Sequence, residues 1–584
     1  MSLLALVAVV VLALIAGYLL YGSFIARQYR LDDSRTTPAV SRSDGVDFVP
    51  TRPFYLLGQH FSAIAAAGPI VGPIAACIAF GWLPSLLWIV IGVILIGAVH
   101  DFSALVASVR HGACSIAELA RQHLGRRAWV SLVAFIWLAL LYVIVAFTDV
   151  TASTFIGNVE ELQGGFAFNP GGAVAAASAM YLALALLMGL VQRCLRPKFW
   201  LVTLIFVPAT LGVVWLGTRV SGILVFDIRT WHIAILVYCF VASLLPLWLL
   251  QQPRGYLGGF VLYLAIGVGL LGILLGGFTI DRPAFTPAVA DAPGGLAAWL
   301  FGARGEGTAP PLTSLLFPFL FVTIACGACS GFHGLVCGGT TSRQIARESH
   351  CKPIAFGAML LEGLVAVIAL ATVMIVAPGD GDKRAPSIIY GDGLARFLTK
   401  LIGEDSMAFA RTFGTMAVAT FVFDTLDVAT RLGRYLLQEL FGTASRAVGA
   451  LASFATAGIP LLILFAAPEG SWRQFWTLFG TANQLLAGLT LVGVSVWLAR
   501  ERRRYWYTFI PMLFIMTITL SAVTLQIIAG ARVLLTQGFS TDPALINAAV
   551  GVLMLGLAVM FLYEGWRHSR GTTGLPPPRT NAPA

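Results

Sequence analysis

A small set of ionisable side chains stands inside long apolar runs of this 584-residue chain, where a charge is costly enough to mark function by default. His100 and Asp101 are neighbours in the third such run. Adjacent side chains on a helix diverge by about 100 degrees, so the two are not expected to face one point; one would line a cavity while the other braces it. An imidazole changes charge near neutrality, and burial favours the neutral form of a carboxyl, so the pair suits proton coupling. A structural pair bonded to neighbouring helices is the alternative. Glu362, two turns into the tenth run, allows the same choice between proton relay and helix-to-helix hydrogen bonding, and Asp149, near the outer end of the fourth, is either a proton-coupling group or a wet carboxylate at the headgroups. Asp427 precedes Arg431 by four residues and Arg434 by seven, which puts all three on one helix face. An intrahelical ion pair is expected there, and a gate that makes and breaks it is the functional version.

The segment Cys326-x2-Cys329-x3-His333-x3-Cys337 offers thiolates and an imidazole, the ligands of zinc or iron. On a continuous helix Cys326 and His333 lie about 10 Å apart along the axis, so one ion spans them only if the glycines between unwind. Cysteine packing as a small residue is the alternative, and no cofactor is expected. The following Gly338-Gly339-Thr340-Thr341-Ser342 offers hydroxyls and bare carbonyls that suit a hard cation such as sodium. Asn483 and Gln484, in the thirteenth run, carry amides that must be satisfied internally; interhelical bonding or an oligomer contact is expected.

The elements that position these residues follow from composition. With 58% hydrophobic residues, 11% charged and a mean hydropathy of +0.86, the chain is an all-α polytopic membrane protein, and no nucleic-acid role follows from its net charge of +10. About fifteen apolar runs are long enough to cross a bilayer, centred near residues 12, 70, 97, 139, 183, 209, 241, 268, 324, 366, 417, 457, 486, 518 and 555. The first reads as an uncleaved helix rather than a leader. Most of the 37 lysines and arginines fall in loops after odd-numbered runs or in the tail, which predicts an external N-terminus and a cytoplasmic C-terminus. Residues 281–311 and 378–405 read as external caps or mobile loops, and the tail as disordered.

Three runs carry interruptions. Gly68-Pro69 and Gly72-Pro73 break the second, Ser243 to Pro246 the seventh, and the glycines around Ser330 and His333 the ninth. Transporters built as inverted repeats place discontinuous helices at corresponding positions of two halves, their ends facing substrate near the midplane. Runs two and seven are five apart, which predicts a five-plus-five core with substrate held by Gly68, Pro69, Gly72, Pro73, Ser243, Pro246, Ser330 and His333. The expected organisation is a first helix and cytoplasmic loop (1–58), the core (59–440), peripheral helices (441–569) and a tail (570–584).

Several stretches resemble the carbon starvation protein A family of bacterial and archaeal membrane proteins: Asp44 to Thr51, the Gly-Pro run, Gly97 to Phe102, Pro246 to Arg254, Cys326 to Ser342, Thr425 to Tyr435 and Leu478 to Leu485. The resemblance implies a starvation-linked nutrient uptake system of the inner membrane, related to the amino acid-polyamine-cation transporters, with peptides or pyruvate as substrate. Two departures stand out. The family pattern Pro-Arg-Asp-Tyr is Pro253-Arg254-Gly255-Tyr256 here, which removes a carboxylate beside Arg254, and Asp424 stands where a neutral residue is expected. The reading is a secondary transporter working by alternating access. Coupling to protons is expected through His100, Asp101, Asp149 or Glu362, with a sodium site at Thr340 and Thr341 as the second choice. Asp427 and Arg431 form the gate, and a homo-oligomer is allowed. The competing classes are a metal- or haem-containing redox protein using Cys326, Cys329 and His333, and a nutrient sensor without flux.

Overall fold

The computed structural model describes residues 2–44, 48–65, 67–162, 166–286, 315–443, 445–469 and 471–570. The expectations for the rest of the 281–311 loop and for the tail beyond 570 lie outside the described residues. Helix dominates, with one small antiparallel hairpin pairing Glu160–Leu162 with Phe166–Phe168. Twelve helices among the described residues are long and apolar enough to cross a membrane, or thirteen when a bent pair is taken as one span. Each of the fifteen predicted centres falls on or between helices of the expected run.

The second span is that bent pair. Pro53–Ile64 stops, and Gly68–Phe80 resumes at an angle of 47°. The break precedes the Gly-Pro motifs instead of running through them, because Pro69 occupies the first turn of the new helix, where a missing N–H costs nothing. Gly68 to Pro73 therefore runs as an unbroken helix, with Pro73 inside it. The ninth span is interrupted between Leu316–Thr323 and Gly331–Val336. The seventh, Ile228–Leu244, simply ends: Leu245 is extended, as the residue before a proline prefers, and Pro246 lies beyond the helix.

One order of elements occurs twice. A broken span, a long span, a short helix and another long span appear first as the second span, Trp82–Arg110, Ile116–Leu124 and Arg126–Thr154. They appear again as the ninth span, Glu348–Met374, Pro386–Ile402 and Met407–Leu440. The counterpart of the second span is thus the ninth, not the seventh. Packing is reciprocal across the two sets, since the second span lies against Glu348–Met374 and the ninth against Trp82–Arg110. The seventh packs elsewhere, on Arg126–Thr154, Met407–Leu440 and Arg446–Ala466. Pro386–Ile402, expected within a loop, is a helix buried on one face through Tyr390, Leu394 and Phe397.

The connections sort into two faces. On one, Arg110 pairs with Glu348, Thr37 Oγ1 donates to the Ala346 carbonyl and Arg503 donates to the Tyr29 carbonyl, joining segments that follow spans one, three, nine and thirteen. Thr51 N–H donates to the Gln344 carbonyl, so the long loop after the first span is a structured linker. On the other face Arg282 pairs with Asp382, and Arg473 donates to the Asp382 carbonyl. Alternate connections therefore share a face, as the predicted parity of spans requires.

Candidate functional site

His333, on the second half of the ninth span, sits between two carboxylates from different helices. Its Nδ1 is 2.8 Å from Asp101 Oδ2, and its Nε2 is 3.1 Å from Glu362 Oε2. Asp101 Oδ1 lies 2.7 Å from His100 Nδ1. All four residues are fully buried. The expected divergence of His100 and Asp101 is overturned here: their backbones do point apart, but the imidazole folds along the helix surface to donate to its neighbour's carboxylate. His60, from the first half of the second span, hydrogen-bonds Thr341 Oγ1 at 2.8 Å and lies within electrostatic reach of Asp101 and His333. Sequence reasoning left His60 out of the site, although Gln59-His60 was visible as polar text opening an apolar run.

The geometry fixes where a labile proton must be. With Asp101 ionised it accepts N–H bonds from His100 and from His333 Nδ1, so Nε2 of a neutral His333 is bare. A bare nitrogen facing an ionised Glu362 at 3.1 Å would set two lone pairs against each other. One proton must therefore reside on His333 Nε2 or on Glu362, and these atoms are not aligned into a hydrogen bond that would lock it in place. Among the described residues, Nε2 of His60 and of His100 are likewise buried without hydrogen-bond partners, as are both Glu362 oxygens. Gly334 keeps the ring of His100 uncovered, since a Cβ there would stand 3.4 Å from its Cε1. Unpaired polar atoms at this density belong to a place where something polar is received or passed on.

The breaks surround this cluster but are not themselves open. Carbonyls freed in the ninth span are taken by side chains: Trp88 Nε1 donates to Phe321 and Ile324, Trp476 Nε1 to Thr323, and Gln484 Nε2 to Phe321. Asn483 Oδ1 accepts from Phe332 N–H at 3.0 Å, and Ser330 bonds the same amide. The thirteenth span, Trp472–Arg500, is thus part of the core packing, and the amides read as generic interhelical contacts secure the break. Gly68 and Gly72 serve close approach. A Cβ on Gly68 would stand 2.3 Å from Cys326 Sγ, and one on Gly72 would stand 2.5 Å from the Thr323 carbonyl oxygen. The Gly68 and Gly72 side of this helix is filled by the ninth span in this conformation.

Other candidates resolve differently. Ser243 bonds Phe240 O and Ser453 Oγ, away from the cluster. Asp149 is buried, not wet, and pairs with His232 Nε2 at 3.0 Å. Thr340 donates to the Val336 carbonyl within its own helix, and Thr341 is engaged by His60. Cys326 Sγ accepts from Asn483 while His333 turns to its carboxylates, and among the described residues no group of three or more His, Cys, Asp or Glu is arranged to hold a metal.

The expected Asp427–Arg431 pair is replaced. Arg431 donates to the carbonyls of Ala242 and Leu245, which caps the end of the seventh span, because those buried acceptors have no helical partner. Asp427 accepts from Tyr238 at 2.8 Å and from Arg254. Arg254 is fully buried and also pairs with Asp424 at 2.6 Å. A Cβ on Gly255 would lie 3.8 Å from Asp424 Oδ2, so the carboxylate missing at 255 is delivered to Arg254 from the facing helix.

A family profile described as carbon starvation protein CstA matches residues 2–385 and 381–522. This chain belongs to the CstA family. It is 33% identical to a protein named peptide transporter CstA from Helicobacter pylori (strain ATCC 700392 / 26695), over 88% of this chain and 80% of the relative. A peptide transporter CstA from Escherichia coli (strain K12) is also 33% identical, with 88% and 80% covered. A pyruvate/proton symporter BtsT from the same strain is 30% identical, with 91% and 81% covered. A manganese transporter of Eremococcus coleocola, solved with an aromatic bis-isothiourea compound, aligns at a TM-score of 0.48 and 13% identity over 90% of this chain and 99% of that one.

Proposed function

We propose that this CstA-family protein is a proton-coupled secondary transporter for a small carboxylate-bearing nutrient, a peptide or pyruvate, working by alternating access in the inner membrane. The proposed orientation has the N-terminus outside and the C-terminus in the cytoplasm. The single observation that carries the reading is His333 held between Asp101 and Glu362 where the broken ninth span meets the third and tenth. Both substrate classes appear in the names of its relatives, and both carry a carboxylate that would enter a buried site.

The coupling follows from charge. An anion placed beside Asp101 and Glu362 adds negative charge to a low-dielectric centre, which is unfavourable unless a proton accompanies it. The unpartnered Nε2 atoms of His60 and His100 are the sites where that proton would also donate to the incoming carboxylate. One proton per substrate carboxylate is then the expected stoichiometry. When the proton leaves toward the cytoplasm the anion loses its donor and its affinity falls, so release follows deprotonation.

Uptake into proteoliposomes under an imposed pH gradient tests the reading, with radiolabelled pyruvate and dipeptides in parallel. Gradient-driven accumulation is expected for one of them, and Glu362→Gln and Asp101→Asn are each expected to reduce it at least tenfold. Glu362→Gln should retain substrate exchange without a gradient, because it fixes the proton count without removing the pocket. Gradient-driven accumulation that is unchanged in both variants would overturn proton coupling through this cluster. Saturable binding with no flux would replace transport with sensing.

A further inference from the structure

On the face that carries the Arg27–Arg52 loop, a cavity of about 410 Å³ opens between that loop, the end of the third span, the start of the tenth and the link after the thirteenth. Its volume falls within the range of ordinary ligand sites, roughly 300–1,000 Å³. Four arginines line it, Arg35, Arg42, Arg110 and Arg503, against two glutamates, Glu348 and Glu501. The glutamates are already engaged. Glu348 receives Arg110 Nε at 3.0 Å and Nη2 at 2.7 Å, and Glu501 lies 3.4 Å from Arg503. Arg42 reaches only a neutral carbonyl, that of Gly112, at 3.2 Å. Arg35 stands loosely at 3.6 Å from Asp32 and 4.0 Å from Glu348. The third nitrogen of the Arg110 guanidinium, Nη1, is buried with no hydrogen-bond partner among the described residues, and the side chain as a whole is only 7% exposed.

A buried guanidinium nitrogen left unpaired is expensive, and it sits in a cavity where the surplus charge is positive. We propose that this cavity is a binding site for a phosphate-bearing anion, distinct from the buried His–Asp–Glu cluster. Guanidinium forks suit phosphate because several oxygens can each accept from a different arginine. A phosphate group there would accept from Arg110 Nη1 and draw Arg35 and Arg42 inward. The site also bridges two spans. Arg110 ends the helix that carries His100 and Asp101, and Glu348 begins the helix that carries Glu362, so occupancy would tie their ends together on this face. The same chemistry could be presented by a soluble phosphate compound or by an anionic lipid headgroup.

Inorganic pyrophosphate, titrated calorimetrically into the full-length purified protein in detergent at low salt, tests the site without reference to transport. One-site saturable binding is expected. It should weaken at least tenfold in Arg35→Gln/Arg42→Gln, whose side chains can be removed without touching the core, and should be unchanged in Arg446→Gln on an exposed helix start. A second arm places the protein in nanodiscs of phosphatidylcholine with or without phosphatidylglycerol. Competition by phosphatidylglycerol assigns the ligand to the lipid, and undiminished pyrophosphate binding assigns it to a soluble compound. Absence of saturable binding in detergent together with no phosphatidylglycerol effect on the double variant's stability relative to the parent would overturn the site. Binding that the double variant leaves unaltered would overturn it as well.

Discussion

The most exacting electrostatic demand among single residues falls on Arg254, a fully buried guanidinium whose partners are Asp427, Tyr238 and Asp424. Removing one member of a buried ion pair typically costs about 3–5 kcal/mol, because the surviving charge is stranded. Asp427→Asn is therefore expected to be severely destabilising. Asp424 is 24% exposed, and Asp424→Asn should cost less, about 1.5–3 kcal/mol, the worth of a hydrogen bond to a charged group. Because the position of a Cβ on Gly255 lies beside the Asp424 carboxylate, Gly255→Asp in the Asp424→Asn background should recover most of that loss. Thermal unfolding of the two single variants and the double variant in detergent reads this directly, and a double variant no more stable than Asp424→Asn would refute the exchange. Of this cluster, Arg254 was not legible as a buried charge; Asp427 was legible as a charge at the end of an apolar run, and the departures at 255 and 424 were visible as text. Their compensation was not, since it depends on two helices facing each other across 169 positions of chain. His100, Asp101 and Glu362 were legible through the cost of ionisable groups in an apolar run, and His333 through the glycine-rich interruption and the cysteines around it. That they converge on one point was hidden, because sequence spacing describes one helix at a time.

At the scale of elements, proline and glycine located the interruption of the ninth span, set that of the second a few residues too late, and announced one in the seventh that is a helix end. Proline starts a helix as readily as it ends one, so Pro69 opens the second half of its span and Pro246 lies after a finished helix. The repeat was legible as an idea and mispaired in detail, because the seventh span ends at a proline and resembles a break when only composition is read. What holds the ninth span open is a set of side chains from elsewhere, chiefly Trp88, Trp476, Asn483 and Gln484. Asn483→Ala leaves the Phe332 N–H and the Ser330 hydroxyl without this partner in a buried site, and an unsatisfied group there costs about 1–3 kcal/mol. The expected outcome is a melting temperature lower by several degrees, with gradient-driven uptake falling further than stability alone explains because His333 follows the displaced turn. Uptake preserved at parental levels at a temperature well below melting would separate the break from the site.

The whole molecule is two faces joined through a packed middle, and the face opposite the Arg27–Arg52 loop is pinned by an ion pair. Arg282 forks onto Asp382, holding the Asp382 carboxyl below the usual carboxylate range chiefly through that hydrogen bond. A carboxyl with a lowered folded-state value contributes stability that is present above its unfolded value and is lost as pH falls through the folded one. Asp382→Asn should accordingly lower the melting temperature at neutral pH, with the gap to the parent closing below about pH 4, the ordinary carboxylate value. A gap that is constant with pH would mean that the Asp382 charge is irrelevant there. The middle makes a different demand. In this conformation Gly68 seats against Cys326, and Gly97 against the Ala328 carbonyl, so the second and third spans are both closed on the ninth at once. Alternating access requires one of these seams to part while the other stays shut. Cys326 reports on the first, being buried with its sulfur facing Gly68. In a variant that keeps Cys326 as its sole cysteine, maleimide labelling should be slow without substrate and change severalfold when saturating substrate or a pH gradient shifts the balance between the two openings. A labelling rate indifferent to both would mean that the second and ninth spans move as one body, and the parting would then have to occur along Gly97, where Gly97→Ala would drive a methyl into the Ala328 backbone.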